Sequence, residues 1–182
     1  MRIALIISLL LFPILANADE LLAKAEPRMP DVSTRSAPTA TADITQVLVR
    51  KNERRLYLLS DRETVREYRI SLGDNPVGHK LSEGDERTPE GEYTLDWRLA
   101  DSDFYKAIHI SYPSARDRKL ADAWGLDPGG SIMIHGLPNN AGDMAFAYIG
   151  LDWTDGCIAV SNEAMDEIWS LVKNGTPIRI EP

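Results

Sequence analysis

Cysteine is almost absent from this sequence of 182 residues, which contains only one, Cys157. A single cysteine excludes a disulfide within the chain, so the fold does not rely on the cross-links that many exported domains use. A lone thiol in an oxidising compartment is a liability unless it has a chemical role. The alternative is a buried cysteine that serves as a small apolar side chain. The count alone leaves both interpretations open.

Histidine is also scarce, with three residues in the chain, and there is no Cys-x-x-Cys pair. A structural zinc site needs about four nitrogen, sulfur or oxygen ligands held close together. One cysteine and three scattered histidines are a poor source of such ligands. We therefore expect no metal site.

Basic residues are outnumbered, with 20 Lys and Arg against 28 Asp and Glu and a net charge of −8. Removal of residues 1–18 takes away only Arg2, which leaves 19 − 28, or −9. Nucleic-acid binding depends on basic surfaces, so nucleic acid is not an expected partner. A local basic groove is still compatible with this net charge.

Long apolar runs are missing except at the N-terminus. Ile3–Leu15 is almost wholly apolar, but it is shorter than the roughly 20 residues that span a bilayer. Met1-Arg2 precedes it, and Ala16-Asn17-Ala18 has the small-x-small form of a signal-peptidase site. Residues 1–18 are therefore predicted to be a signal peptide, and the mature protein to be periplasmic without a stable membrane span. An uncleaved membrane anchor is the alternative.

Residues 19–43 have the composition of a flexible linker, with three prolines and a tail rich in Ser, Thr and Ala. They show no sustained apolar period. The folded domain is predicted to cover residues 44–182.

The folded domain is predicted to be mainly β. Val47 and Val49, and then Leu56 and Leu58, alternate with polar residues on either side of a turn, which indicates a hairpin. Residues 64–73 add a third strand of a meander. Further short apolar runs bring the total to about eight strands and two helices, without long helices between strands. This pattern favours a β-sandwich or barrel-like domain with small helical insertions.

The stretch from Ile132 to Asn162 carries the residues with the clearest catalytic potential. A cysteine attacks as its thiolate, and a nearby imidazole can remove the thiol proton. His135 ends one apolar run and Cys157 adjoins another, so adjacent strands joined by a long loop would bring them together. Thr154 is a candidate to orient the imidazole. The backbone N–H groups of Asp155, Gly156 and Cys157 are candidate donors to a developing oxyanion.

This stretch resembles the signature of the YkuD-type L,D-transpeptidases, in which a histidine and a spacer precede Ser/Thr-His-Gly-Cys. Here the spacer after His135 is residues 136–153, and Thr154-Asp155-Gly156-Cys157 follows. The loop SLGDNPVGHKLSEGDERTPEGEY also resembles the family's upstream loop, and the β-rich layout fits its sandwich-like catalytic domain. There are two departures: Asp155 replaces the usual histidine, and Ala159 replaces the usual Asn or Arg.

The resemblance implies a reaction on peptidoglycan peptide stems, without a cofactor. His135 would deprotonate Cys157, and the thiolate would attack a tetrapeptide stem and release D-alanine. An amine of a second stem would then resolve the thioester into a 3-3 cross-link. Two alternatives remain open. Water as acceptor would make the protein an L,D-carboxypeptidase or another hydrolase, and loss of activity would leave a cell-wall binding module.

Four residues are candidates for contact with the donor stem, because a carboxylate-rich substrate favours local cations and polar groups. His79, Lys80 and Arg87 lie in a turn-rich loop, residues 73–91, whose length is typical of functional loops. Trp153 directly precedes the Thr-Asp-Gly-Cys motif. Loop packing or surface charge is the alternative role for each. The acceptor, the oligomeric state and any lid formed by residues 139–152 are left open.

Overall fold

The computed structural model describes residues 43–182. The predicted signal peptide, and the predicted linker except for Asp43, lie outside the described residues. The strands are β1 (Gln46–Arg50), β2 (Arg55–Ser60), β3 (Glu63–Arg69), β4 (Gly91–Ser102), β5 (Tyr105–Ile110), β6 (Met133–His135), β7 (Ile158–Ala159) and β8 (Thr176–Glu181). The helices are α1 (Ala115–Asp122), a 3-10 turn (Gly142–Met144), α2 (Ala145–Tyr148) and α3 (Asn162–Leu171).

The eight strands form one mixed sheet in the order β3-β2-β1-β8-β4-β5-β6-β7. Neighbours are antiparallel except for two parallel pairs, β1 with β8 and β6 with β7. Just after β3, Ser71 exchanges two backbone hydrogen bonds of 2.9 Å with Ala159 of β7, which joins the two edges of the sheet. The prediction of a mainly β domain with small helical insertions is confirmed.

The predicted opening hairpin and meander are also confirmed. Val47 pairs with Leu58 and Val49 with Leu56, and all four side chains are fully buried on one face. The alternation of apolar and polar residues predicts this shared face, because successive side chains point to opposite faces of a strand. The third strand, β3, continues the antiparallel order.

Helix α3 packs on the core with one apolar face, which the spacing of Met165, Ile168, Trp169 and Val172 at i, i+3, i+4 and i+7 predicts. The Ser161 hydroxyl caps the helix by accepting the Ala164 backbone N–H at 3.2 Å. Met165 and Ile168 are fully buried. At the start of the same helix, the Asn162 side-chain oxygen accepts the Leu137 backbone N–H at 2.9 Å. This bond fixes the chain directly after His135 and its neighbour Gly136.

Within the described part of the chain, no helix combines the length and the apolar character needed to cross a membrane.

A buried lysine holds the long loop of residues 73–91 against the opening hairpin. Lys51 is 2% exposed, and its ammonium donates to the carbonyls of Gly78 at 2.6 Å and Thr88 at 2.9 Å. It also forms an ion pair of 2.8 Å with Glu90. Burial lowers the pKa of Lys51, and the Glu90 carboxylate opposes that effect. Three acceptors from the loop thus replace the water molecules that the Lys51 ammonium loses on burial.

Replacement of this lysine by an apolar residue, Lys51→Met, should destabilise the domain. It leaves the Glu90 carboxylate and two carbonyls without their shared cation, and breaking a buried pair in this way costs about 3 kcal/mol. Urea unfolding followed by circular dichroism measures the loss. Lys173→Met is the matched control, since the Lys173–Asp43 pair is exposed, and it should unfold like the wild type. Equal midpoints for both variants would contradict this role for Lys51.

Candidate active site

His135 and Cys157 lie on the same face of two adjacent parallel strands. In this pair Ile134 is in register with Ile158, and His135 with Ala159. Ile134 and Ile158 are fully buried in the core, so the residues on either side of them point to the opposite face. His135 and Cys157 are diagonal neighbours on that face. The ordinary spacing between strands and the rise along them place their Cα atoms about 8 Å from each other.

Both side chains line one cavity of about 200 Å³. Its lining residues are Ser102, Phe104, Ala107, Ser131, Met133, His135, Trp153, Thr154, Asp155 and Cys157. Aromatic rings flank the imidazole, with ring centroids of Phe104 and Trp153 at 4.7 and 5.8 Å from that of His135. The cavity is thus a largely apolar pocket around a nucleophile and a base.

The His135 imidazole is buried and is oriented by the backbone. The side chain is 4% exposed, and its Nδ1 lies 2.7 Å from the Gly136 carbonyl oxygen. A carbonyl only accepts, so Nδ1 carries the proton and Nε2 is left as the acceptor. Burial lowers the pKa of His135. The ring is therefore neutral at neutral pH, which is the form that a general base requires.

The Cys157 thiol is half-buried beside the end of the β6 strand. Its Sγ lies 3.6 Å from the Ser131 carbonyl oxygen. Burial raises the pKa of Cys157, and a hydrogen bond from the Met133 backbone opposes that effect. The charge of Asp155 raises the pKa further, and the charge of Lys80 lowers it. The resting site therefore holds a neutral thiol beside a neutral imidazole rather than an ion pair.

The turn that presents Cys157 is held by the Thr154 hydroxyl. Thr154 Oγ1 donates to the Cys157 carbonyl at 2.8 Å and accepts the Gly156 N–H at 3.2 Å. The hydroxyl is thus bonded within the turn and not to the imidazole, which corrects the predicted role of Thr154. The Gly156 N–H is also engaged, so it is not the free oxyanion donor that was predicted. The N–H groups of Asp155 and Cys157 donate to no backbone carbonyl in residues 43–182 and are still candidates.

Position 156 requires a glycine because of both its backbone conformation and its surroundings. Its φ is +120°, and a Cβ atom would lie 2.6 Å from the Arg87 carbonyl oxygen. The loop of residues 73–91 therefore packs directly behind the catalytic turn. The Asp74 N–H donates to the Thr154 carbonyl at 3.0 Å and ties the two segments together.

Of the four predicted stem contacts, only Trp153 lines the Cys157 cavity. Lys80 is 3% exposed, and its ammonium is bound to the Asp85 carboxylate at 2.8 Å and the Ser82 carbonyl at 2.9 Å. The Lys80 ammonium thus holds the loop, and its charge also lowers the pKa of Cys157. Its contact with a stem stays a prediction. The sequence did not reveal these bonds because the conformation of the loop, which brings Ser82 and Asp85 to Lys80, follows no periodic pattern.

His79 and Arg87 line a different cavity of about 820 Å³, which has no lining residue in common with the Cys157 cavity. His79 Nδ1 accepts the Glu90 N–H at 3.0 Å, and its Nε2 lies 3.3 Å from the Asp117 carboxylate. The predicted contact of these two side chains with a stem at the nucleophile is therefore not supported by their position.

Sequence reasoning missed Phe104 and Ser102, which contribute to the wall of the Cys157 cavity. They lie at the turn between β4 and β5, and the Ser102 hydroxyl accepts the Phe104 N–H at 3.1 Å. No motif marks this turn, and only the order of the strands brings it beside β6. Within residues 43–182, no three His, Cys, Asp or Glu side chains are grouped as metal ligands would be.

Comparison with known proteins agrees with this geometry. The model of the YkuD family, the L,D-transpeptidase catalytic domain, matches residues 44–180. The protein YafK of Escherichia coli (strain K12), a proposed L,D-transpeptidase, is 31% identical over 177 residues, which cover 94% of this chain and 63% of that protein.

Solved structures show the same fold. The helical cell shape determining protein Pgp2 of Campylobacter jejuni has a TM-score of 0.58 and 26% identity, covering 76% of this chain and 47% of that chain. An L,D-transpeptidase of Xylanimonas cellulosilytica has a TM-score of 0.50 and 16% identity, covering 78% of this chain and 62% of that chain.

The chain thus spans about 63% of the length of its curated relative YafK and less than half of Pgp2. The family match itself covers most of the chain and includes the His135–Cys157 pair and all eight strands except Glu181, the last residue of β8. The chain therefore belongs to the YkuD family of L,D-transpeptidase catalytic domains.

Proposed function

We propose that this protein is a peptidoglycan L,D-transpeptidase that acts through a thioester on Cys157. The observation that carries the proposal is the shared cavity of His135 and Cys157, on one face of two parallel strands in the fold of this family. Acyl transfer through a thioester needs at least a nucleophile and a base, and both lie in one largely apolar pocket. Export by the segment 1–18, and action in the periplasm where the stems lie, are part of the same proposal.

The first half of the reaction acylates the enzyme. His135 Nε2 takes the thiol proton as Cys157 Sγ attacks the carbonyl of the third stem residue. The N–H groups of Asp155 and Cys157 stabilise the oxyanion that forms. The C–N bond then breaks, and the D-alanine amine leaves with the proton from His135. A thioester remains on Cys157, and the imidazole is neutral again.

The second half transfers the acyl group. An acceptor amine attacks the thioester carbonyl, a C–N bond forms, and the C–S bond breaks. His135 takes the proton of the amine and returns it to the departing sulfur. If water replaces the amine, the same steps give hydrolysis and a trimmed stem. Product analysis separates the two outcomes, because only aminolysis yields cross-linked dimers.

The proposal predicts a covalent adduct of one drug molecule when the protein is incubated with a carbapenem. A carbapenem carries a strained amide that acylates a nucleophilic thiol, and the family resemblance implies such acylation at Cys157. Intact-mass spectrometry should show the adduct on the wild type and none on Cys157→Ala. An adduct of equal extent on both proteins would refute Cys157 as the nucleophile.

Loss of the imidazole should slow acylation without preventing folding. General-base catalysis contributes about 10²–10⁴-fold, so His135→Gln should lower the acylation rate within that range. His109→Gln is the matched control, because His109 pairs with Asp96 at 2.7 Å and stacks on Trp97 outside the Cys157 cavity. Stopped-flow or time-resolved mass spectrometry gives both rates. Equal rates for the two variants would exclude His135 as the base.

The pH dependence of thiol reactivity follows from the shifted pKa values. Burial raises the pKa of Cys157 and lowers that of His135, so a thiolate–imidazolium pair is disfavoured at every pH. Alkylation of Cys157 by iodoacetamide should therefore rise with pH to beyond the ordinary thiol pKa of about 8.5. A rate plateau that extends below pH 6 would reveal a resting ion pair and contradict this electrostatic description.

A further inference from the structure

One peptide group next to the active site is held at both of its ends. Its carbonyl belongs to Gly136 and accepts the Nδ1–H of His135 at 2.7 Å, and this bond decides which nitrogen of the neutral ring carries the proton. Its N–H belongs to Leu137 and donates to the side-chain oxygen of Asn162 at 2.9 Å. The group that orients the imidazole is therefore itself bonded to Asn162.

The contact between Asn162 and this peptide group is close. Gly136 and Leu137 are buried, and no backbone carbonyl of residues 43–182 accepts the Leu137 N–H, so the Asn162 oxygen is its acceptor. A Cβ atom at position 136 would lie 2.6 Å from that oxygen, so a glycine there leaves room for the contact. A buried N–H without an acceptor is unfavourable, so the peptide group depends on Asn162 for its present orientation.

The orientation of the peptide group decides what the His135 ring can do. If the group between Gly136 and Leu137 turned over, its N–H would face Nδ1 in place of its carbonyl. Nδ1 would then accept a hydrogen bond, and the proton of the neutral ring would move to Nε2. A protonated Nε2 cannot take the thiol proton of Cys157, so the ring in this tautomer cannot act as the base.

We propose that Asn162 is a positioning residue of the active site: it holds the 136–137 peptide group so that the neutral His135 ring carries its proton on Nδ1 and keeps Nε2 free for the Cys157 thiol. Asn162 does not line the Cys157 cavity, and it acts through the peptide group and the imidazole. The segment from β7 into α3 thus follows the nucleophile with the side chain that orients the base. The inference rests on the proposed acyl transfer for its effect on the rate, whereas the place of the proton on the ring is independent of any activity.

The place of the proton can be read from the nitrogen NMR spectrum of the protein labelled with ¹⁵N in its histidine rings. A protonated ring nitrogen and one with a lone pair have well-separated chemical shifts, and loss of signals in His135→Gln assigns those of His135. The wild type should show this ring neutral with its proton on Nδ1. His79 is the internal reference for the opposite tautomer, because its Nδ1 accepts the Glu90 N–H at 3.0 Å.

Asn162→Leu keeps the approximate size of the side chain and removes the acceptor. The Nδ1–H form should then fall to about a tenth of the molecules, because the Leu137 N–H finds its acceptor at Nδ1 and one hydrogen bond shifts such an equilibrium about tenfold. Asn162→Asp, whose oxygens only accept, should keep the wild-type tautomer. Asn174→Leu is the matched control, since the Asn174 oxygen accepts the Arg98 Nε–H at 2.8 Å on an exposed part of the chain. If Asn162→Leu does not fold, Asn162→Ala removes the same acceptor without apolar bulk and should give the same change.

The second readout is the rate at which a carbapenem acylates Cys157. This rate should fall about tenfold in Asn162→Leu, because it follows the fraction of molecules with the competent tautomer, and Asn162→Asp should keep it. A purely structural role would lower the melting temperature of Asn162→Leu but leave the wild-type tautomer in the folded protein, and that result would overturn the proposal. A changed tautomer with an unchanged acylation rate, or an equal change in Asn174→Leu, would also overturn it.

The two readouts separate this proposal from the proposed function. If the wild type is not acylated at Cys157, the proposed function fails, whereas the nitrogen spectrum still reports whether Asn162 sets the tautomer of His135. If acylation occurs and the tautomer is the same in Asn162→Leu as in the wild type, the proposed function stands and the role of Asn162 is refuted.

Discussion

The site depends on the close contact between the turn of residues 154–157 and the loop of residues 73–91 behind it. Gly156 lies against the Arg87 carbonyl, where a Cβ would have no room, and the Thr154 hydroxyl closes the turn from within. The loop is in turn held by Lys51 from the opening hairpin and by Lys80 within it. A nucleophile needs fixed geometry, and here two buried ammonium groups supply the rigidity.

The ammonium groups of Lys51 and Lys80 bind carbonyls and carboxylates of the loop, and the charge of Lys80 also lowers the pKa of the Cys157 thiol. The reaction pocket keeps only Asp155, at the position where the family signature has a histidine. A negative group beside a thiol slows thiolate formation, since it raises the thiol pKa.

Much of the fold could be predicted from the sequence because its signals are local. The alternation of Val47, Val49, Leu56 and Leu58 specified a hairpin, and the stripe of Met165 and Ile168 specified a helix with one buried face. The pairing of His135 with Cys157 was predicted from their position at the ends of apolar runs. It depends on a parallel pair of strands, which the sequence pattern does not encode by itself.

The roles of single side chains were harder to predict, because they depend on the conformations of loops and turns as well as on long-range packing. Lys80 is a cation of the kind expected to contact a carboxylate-rich substrate, but its ammonium is bound to Asp85 and Ser82. Thr154 was expected near the imidazole but is bonded to its own turn. Phe104 enters the cavity only because β5 pairs with β6, a contact between segments about 30 residues apart in sequence.

The most direct test is to incubate the protein with a purified tetrapeptide muropeptide and to trap the reaction with acid within milliseconds to seconds. Peptide mapping by mass spectrometry then locates the acyl group. We predict a stem lacking D-alanine, attached as a thioester to the peptide that contains Cys157, with release of one D-alanine per enzyme in the first turnover. D-alanine release without any adduct at Cys157, or equal release by Cys157→Ala, would contradict the proposed mechanism.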